Sequence, residues 1–235
     1  VKIGNTALDS LTTGTQNTAV GENALTANTA GDSNTAVGNE ALEANTTANN
    51  NVAVGYNAAS ALTTGDNSVA VGRYALKDCS TGSGNVAVGL NALETVTTGS
   101  NNVAMGTQAL ESRTTGSDTV AVGYQALQSL TTGAGNCAVG HLAGHVVSTG
   151  NDNAIFGYYA ADVLTTGGNN TIIGSNAGGG LTGGFDNTFV GRVAGQTEST
   201  GYQNTAIGKD CLKNMNGTTN NTGVGKGCLT NVSGG

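Results

Sequence analysis

His141 and His145 are the only histidines in 235 residues, and they stand four apart in the run HLAGH. On a helix that spacing puts two imidazoles on one face, where they could hold a metal ion. The run has no glutamate to serve as a base, and the intervening Gly144 argues for a turn. The pair therefore reads as two solvent-exposed side chains. Cys79, Cys137, Cys211 and Cys228 form no CxxC pair, so they do not spell a zinc site. Cys211 and Cys228 are 17 residues apart, and each replaces an alanine of a repeat. They read as small buried apolar residues, with a bridge between stacked repeats geometrically open. Asp66, Asp118, Asp152 and Asp186 recur without the GGxGxD runs of calcium-loaded rolls, and they read as turn formers. There is no GxSxG, no Walker sequence and no convergent carboxylate pair. The expectation is a chain with no catalytic residue, no metal and no cofactor.

What must position these residues is a repeat. NTAVG at Asn17 to Gly21 returns at Asn34 to Gly38, and its closing glycine recurs every 17 residues from Gly4 to Gly225, fourteen times without insertion or deletion. Counting from that anchor glycine, position −4 is Asn in eleven of thirteen coils: Asn17, Asn34, Asn51, Asn85, Asn102, Asn136, Asn153, Asn170, Asn187, Asn204 and Asn221. Position −2 is usually Ala, +3 is Ala or Cys, +4 is Leu in nine coils, and −7 is Gly in eleven of thirteen. Position −1 is always bulky and apolar, as in Val20, Val37, Val54, Val71, Val88, Met105, Val122 and Val139.

This pattern predicts an all-β solenoid, a β-roll or β-helix of about fourteen 17-residue coils, as a single domain over 1–235. β-Branched residues before the anchor suit a strand, and glycines at 0 and −7 suit turns that need positive φ. Two short strands per coil are expected. Asparagine at one turn-adjacent position can stack as a hydrogen-bonded ladder. AL segments such as Asn91 to Thr95 are too short between glycines to be helices. At about 4.8 Å per coil the body would extend on the order of 65–70 Å. Both ends fall mid-repeat without polar caps, so the chain reads as a piece of a longer one.

Leu at +4 is lost at Gly144, Ala161, Gly178 and Gly195, and in three of those four coils −2 grows, to Ile155, Ile172 and Phe189; Ala59 loses its Leu without such repayment. Cores keep their volume, so −2 and +4 should share one interior. Alternate strand residues point to opposite faces, so −1 should then point outward. A column of outward aliphatics is too large to leave in water, which predicts a covering surface from identical chains. The alternative is a corner at which −1 and −2 both turn inward.

The formal net charge is −7 with 10% charged residues and no basic stripe, which argues against nucleic acid. No run of 18 apolar residues is present to insert in a membrane. Position −9 is Thr or Ser in twelve of thirteen coils. Flat threonine arrays can face ice, but adjacent Thr-Thr pairs tend to point apart, so turn hydrogen bonding is preferred. Positions +1 and +2 vary between large polar and aromatic residues, and Tyr56, Tyr74, Tyr124, Tyr158 and Tyr159 there are the candidate exposed contacts.

The NTAVG…AL…TTG pattern, seen from Asn17 to Leu25 and from Asn85 to Gly99, resembles repeats of phage tail-fibre proteins and bacterial tail-fibre-domain surface proteins. NSVAVG at Asn67 to Gly72 is similar to the head repeats of YadA-like trimeric adhesins, although those repeats are shorter. The resemblance covers essentially the whole chain. It implies a left-handed winding, a parallel homotrimer, and a structural shaft or head segment at a virion or cell surface. A receptor or glycan would then be met through parts outside this segment. A self-assembling extracellular filament of end-to-end solenoids and an ice-binding solenoid are the rival readings.

Overall fold

The computed structural model describes residues 1–215 and 217–231. The described residues form an all-β parallel solenoid with no helix. The chain divides into two compact units, Val1–Asp118 and Thr119–Gly235. The first holds seven strands, from β1 (Lys2–Ile3) and β2 (Thr18–Val20) to β7 (Val103–Met105). Each pairs in parallel with the next at a register of 17, as in Ala19↔Ala36 and Val20↔Val37. The second holds seven more, from β8 (Val120–Val122) to β14 (Thr222–Val224), in the same register, as in Ile155↔Ile172.

Each coil has one strand, of three residues from β2 onward and two in β1, not the two strands expected from the sequence. The cause lies in the backbone. Positions −5, +2 and +4 sit in the left-handed region in almost every coil, as at Asn50 (φ 59°), Asn57 (φ 54°) and Leu42 (φ 50°). Residues so bent cannot continue a pleated strand. The return path is still hydrogen-bonded coil to coil: Leu25 N–H donates to Ala41 O at 3.0 Å and Ala27 N–H to Glu43 O at 3.1 Å. Backbone groups on that side are thus paired without a second sheet.

The two glycine columns serve different needs. Anchor glycines have φ between 123° and 143°, and a Cβ on most of them would meet the next anchor's carbonyl at 2.2–2.6 Å. The −7 glycines were expected to need positive φ, but Gly14, Gly31, Gly65 and Gly82 do not have it. There the reason is close approach: a Cβ at Gly82 would lie 2.1 Å from Gly99 O. Ala48 and Thr218 stand in that column in the remaining coils.

The interior is built from positions −2, +3, +4 and +7. Ala36, Ala41, Leu42 and Leu62 are fully buried. A buried leucine contributes about 1.5–3 kcal/mol relative to exposure. The predicted sharing of volume between −2 and +4 is present. A Cβ at Gly144 would stand 3.0 Å from Ile155 Cδ1, and one at Gly178 would stand 3.2 Å from Ile172 Cδ1.

Candidate functional site

The −4 asparagines use both ends of the amide. In the second unit, Asn153 Oδ1 accepts from Asn170 N–H at 3.1 Å, and Asn153 Nδ2 donates to Gly167 O at 3.0 Å. Asn170, Asn187, Asn204 and Asn221 continue the chain of bonds at 3.0 Å. In the first unit, Asn17 starts the same ladder, and Ser68 carries it with its backbone N–H on Asn51 Oδ1 and its Oγ accepting from Asn85 N–H. Asparagine suits the column because one side chain supplies a donor and an acceptor together. A second ladder, at −6, was not foreseen. Asp32 Oδ1 accepts from Thr15 N–H, Asn49 Oδ1 from Asp32 N–H, and Asp66 Oδ1 from Asn49 N–H. The backbone bond from Thr15 lowers the Asp32 carboxyl below its ordinary value. Asp118, Asp152 and Asp186 sit in the left-handed turn position at −5.

Position −1 faces outward. From β2 onward −2 is buried, whereas Val37, Val54, Met105, Phe156, Ile173 and Ile207 at −1 are 36–44% exposed. Val20, Val71, Val88, Val122 and Val139 are half-buried. The alternative in which −1 and −2 both turn into the core is excluded by this alternation. Position −3 shares the outer face and is half-buried in most coils.

The −9 hydroxyls are engaged. Thr29 Oγ1 donates to Thr46 O at 3.1 Å, Thr63 to Ser80 O at 2.8 Å, and Thr165 to Thr182 O at 2.7 Å. The adjacent −8 threonines, including Thr47, Thr64, Thr81 and Thr98, are exposed.

Cys211 and Cys228 are disulfide-bonded, with Cα atoms 4.8 Å apart. The reading of two separate apolar residues is corrected by the register: one repeat period is one strand spacing, within reach of a bridge. Gly223 replaces the usual −2 alanine beside it, because a Cβ there would lie 2.8 Å from Cys211 Sγ. Burial pushes the Cys79 thiol up to about 11.

Two charged residues lie in the +7 column of the interior. Arg113 is fully buried, donating through Nε to Gly116 O at 2.8 Å and through Nη2 to Ser117 O at 3.0 Å. Burial brings its pKa down to about 10, against the pull of Asp118. Glu198 is fully buried, and its Oε1 accepts from Gly201 and Gly217 N–H. Asn28 makes the corresponding bond to Gly31. A polar residue at +7 therefore closes the −7 turn from within. The scattered polar residues in an otherwise apolar column were the signal for this.

His141 is exposed and His145 half-buried. Among the described residues no group of three or more His, Cys, Asp or Glu could hold a metal. Tyr124 and Tyr158 stack on either side of His141, and Tyr159 meets Tyr158 edge-on. In the first unit Arg73 lies over Tyr74 at 4.6 Å and over Tyr56 at 5.9 Å. Among the described residues no helix is long and apolar enough to cross a membrane. No protein-family model, no curated protein and no solved structure matches the chain.

Proposed function

We propose that the chain is a non-enzymatic structural segment of an extracellular fibre, of the phage tail-fibre or trimeric-adhesin kind, in which identical left-handed solenoids run parallel as a homotrimer. The carrying observation is the outward apolar column at −1, exposed or half-buried in register coil after coil. Aliphatic surface repeated in this way is what an interface between copies requires. A parallel neighbour in the same register meets every −1 residue with its equivalent. Stiffness comes from the strand ladder and the two side-chain ladders, each of which ties a coil only to its neighbours. The Cys211–Cys228 bridge supports an oxidising, extracellular setting.

The test is Val88→Asp studied by sedimentation and circular dichroism. The expected result is a trimeric parent and a variant that dissociates while keeping its β signal. A monomeric parent at micromolar concentration sinks the reading.

An ice-binding solenoid is a second reading, favoured by the exposed threonine column at −8. The engagement of the −9 hydroxyls with backbone carbonyls weighs against it, since only one column is then left to meet ice. Thermal hysteresis of the purified chain decides it.

A further inference from the structure

Five of the six tyrosines occupy positions +1 or +2, on one corner of the coil. In the second unit that corner holds an aromatic stack across three consecutive coils. Tyr124 and His141 have ring centroids 5.2 Å apart at 22°, and His141 and Tyr158 are also 5.2 Å apart, at 21°. Tyr159 tilts against His141 at 5.5 Å and meets Tyr158 edge-on at 4.5 Å. Tyr124 is 45% and Tyr158 55% exposed. Asp162, at +5 beside them, has its carboxyl raised by burial while His145 draws it down, and its charge is felt at Tyr159.

Solenoid turns do not need this. The same +1 column carries Ser175, Arg192 and Lys209 in following coils. Rings with an apolar body and a polar tip, left half in water, are the side chains that interfaces use.

The chemistry narrows the partner. The described residues enclose no pocket, so a small molecule would not be buried. Contacts repeated at each coil suit an extended polymer lying along the corner. A net charge of −7 and the nearby Asp162 disfavour polyanions. The corner is a turn and not a strand edge, so a peptide could not add there as a strand. A neutral polysaccharide fits: its sugar rings offer C–H faces to aromatic rims and hydroxyls to phenol, imidazole and carboxylate groups.

We propose that the corner formed by Tyr124, His141, Tyr158, Tyr159 and Asp162 binds a neutral polysaccharide laid across consecutive coils. Its rings lie two and three residues past the −1 column, beyond the anchor glycine, and the site does not depend on a fibre tip. Tyr56 and Tyr74 in the first unit lie against Arg73, with Lys77 5.5 Å from the Tyr74 ring; Tyr56 is 44% exposed, but this pair carries cations in place of a ring stack, and it forms the control.

The experiment is native electrophoresis of the full chain in gels containing soluble β-glucan, galactomannan or dextran, with alginate as the anionic comparison. Retardation is expected in at least one neutral gel and not in alginate. Tyr124→Ala/Tyr158→Ala should weaken it about tenfold or more, and Tyr56→Ala/Tyr74→Ala should leave it unchanged. Sedimentation and circular dichroism of the variants separate lost binding from lost assembly or fold. If the double variant fails to fold, Tyr158→Ala alone is judged by the same criterion. No retardation in any neutral gel, equal retardation of the Tyr124/Tyr158 variant, or retardation in alginate alone overturns the proposal.

Discussion

Gly195 lies against the ring of Phe189: a Cβ at Gly195 would stand 2.6 Å from both Cδ2 and Cε2 of that ring. In the Ala36 and Leu42 coil the same two columns hold a small residue at −2 and a large one at +4, both fully buried. The Phe189 and Gly195 coil inverts the sizes. Phe189→Ala should destabilise by about 3–5 kcal/mol through the cavity left behind. Gly195→Leu alone should be at least as damaging, because the ring has nowhere to go. The double variant restores the common pair and should recover most of the loss. Urea unfolding of the four proteins gives the coupling, and additive losses would show that the two residues do not share one space.

The asparagine ladder makes a graded prediction. Asn153→Ala removes the acceptor of Asn170 N–H and the donor to Gly167 O, both buried. A buried unpaired group costs about 1–3 kcal/mol, so the loss should reach several kcal/mol. Asn153→Ser should cost less, since Ser68 shows that a hydroxyl can accept from the next coil's N–H. Thermal melts of the two variants rank them, and equal losses would mean that the ladder bonds contribute nothing beyond packing.

The disulfide at Cys211 and Cys228 closes a span of 17 residues. A loop of that size contributes about 3 kcal/mol in the chain-entropy account. Cys211→Ala/Cys228→Ala should speed hydrogen exchange of the strand amides of Thr205–Ile207 and Thr222–Val224, leaving the first unit unchanged. Adding Gly223→Ala fills the space the sulfurs vacate and should regain about 0.5–1 kcal/mol.

Arg113 is a base whose folded pKa is lowered to about 10 by burial, so the folded chain holds its proton less firmly than the unfolded chain. Its charge is therefore destabilising throughout the range below about pH 10, and that penalty recedes as pH rises from there toward the ordinary guanidinium pKa. Arg113→Leu, the residue found at Leu62 and Leu130 in the same column, should stabilise at pH 7 by about 1–2 kcal/mol. Gly116 O keeps a donor in Asn102 Nδ2 at 3.1 Å. Chemical denaturation at pH 7 and pH 10.5 checks the sign: the advantage should shrink at the higher pH.

The phase, the interior columns and the outward turn of −1 were legible because a strand alternates its faces with a fixed period of two. The exchange of size between Gly178 and Ile172 could be read from residue volumes alone. The left-handed backbone of Leu42, Leu93 and Leu127 could not, since leucine avoids that region by about 1–2 kcal/mol. The glycines at 144, 178 and 195 carried the hint, because each has φ near 60° in the leucine column. That bend also explains why the expected second strand is missing. The disulfide was open from the spacing, yet nothing in residue type separates two buried cysteines from a bonded pair. The aromatic stack followed from register: residues at +1 that look like scattered decoration become neighbours once coils lie one above another.

The anchor glycines touch carbonyl to Cα from coil to coil, with no room for one carbon more between Gly21 and Gly38 or between Gly140 and Gly157. A single residue inserted beside the anchor would carry a side chain into that contact and turn the rest of that strand to the wrong face. Length in this protein is therefore counted in whole units of 17. Related chains should differ by duplicated or deleted coils, so their sizes fall on a ladder of discrete values. Gene duplication can extend such a chain without solving a new packing problem, because each added coil meets the interface that its predecessor already presents.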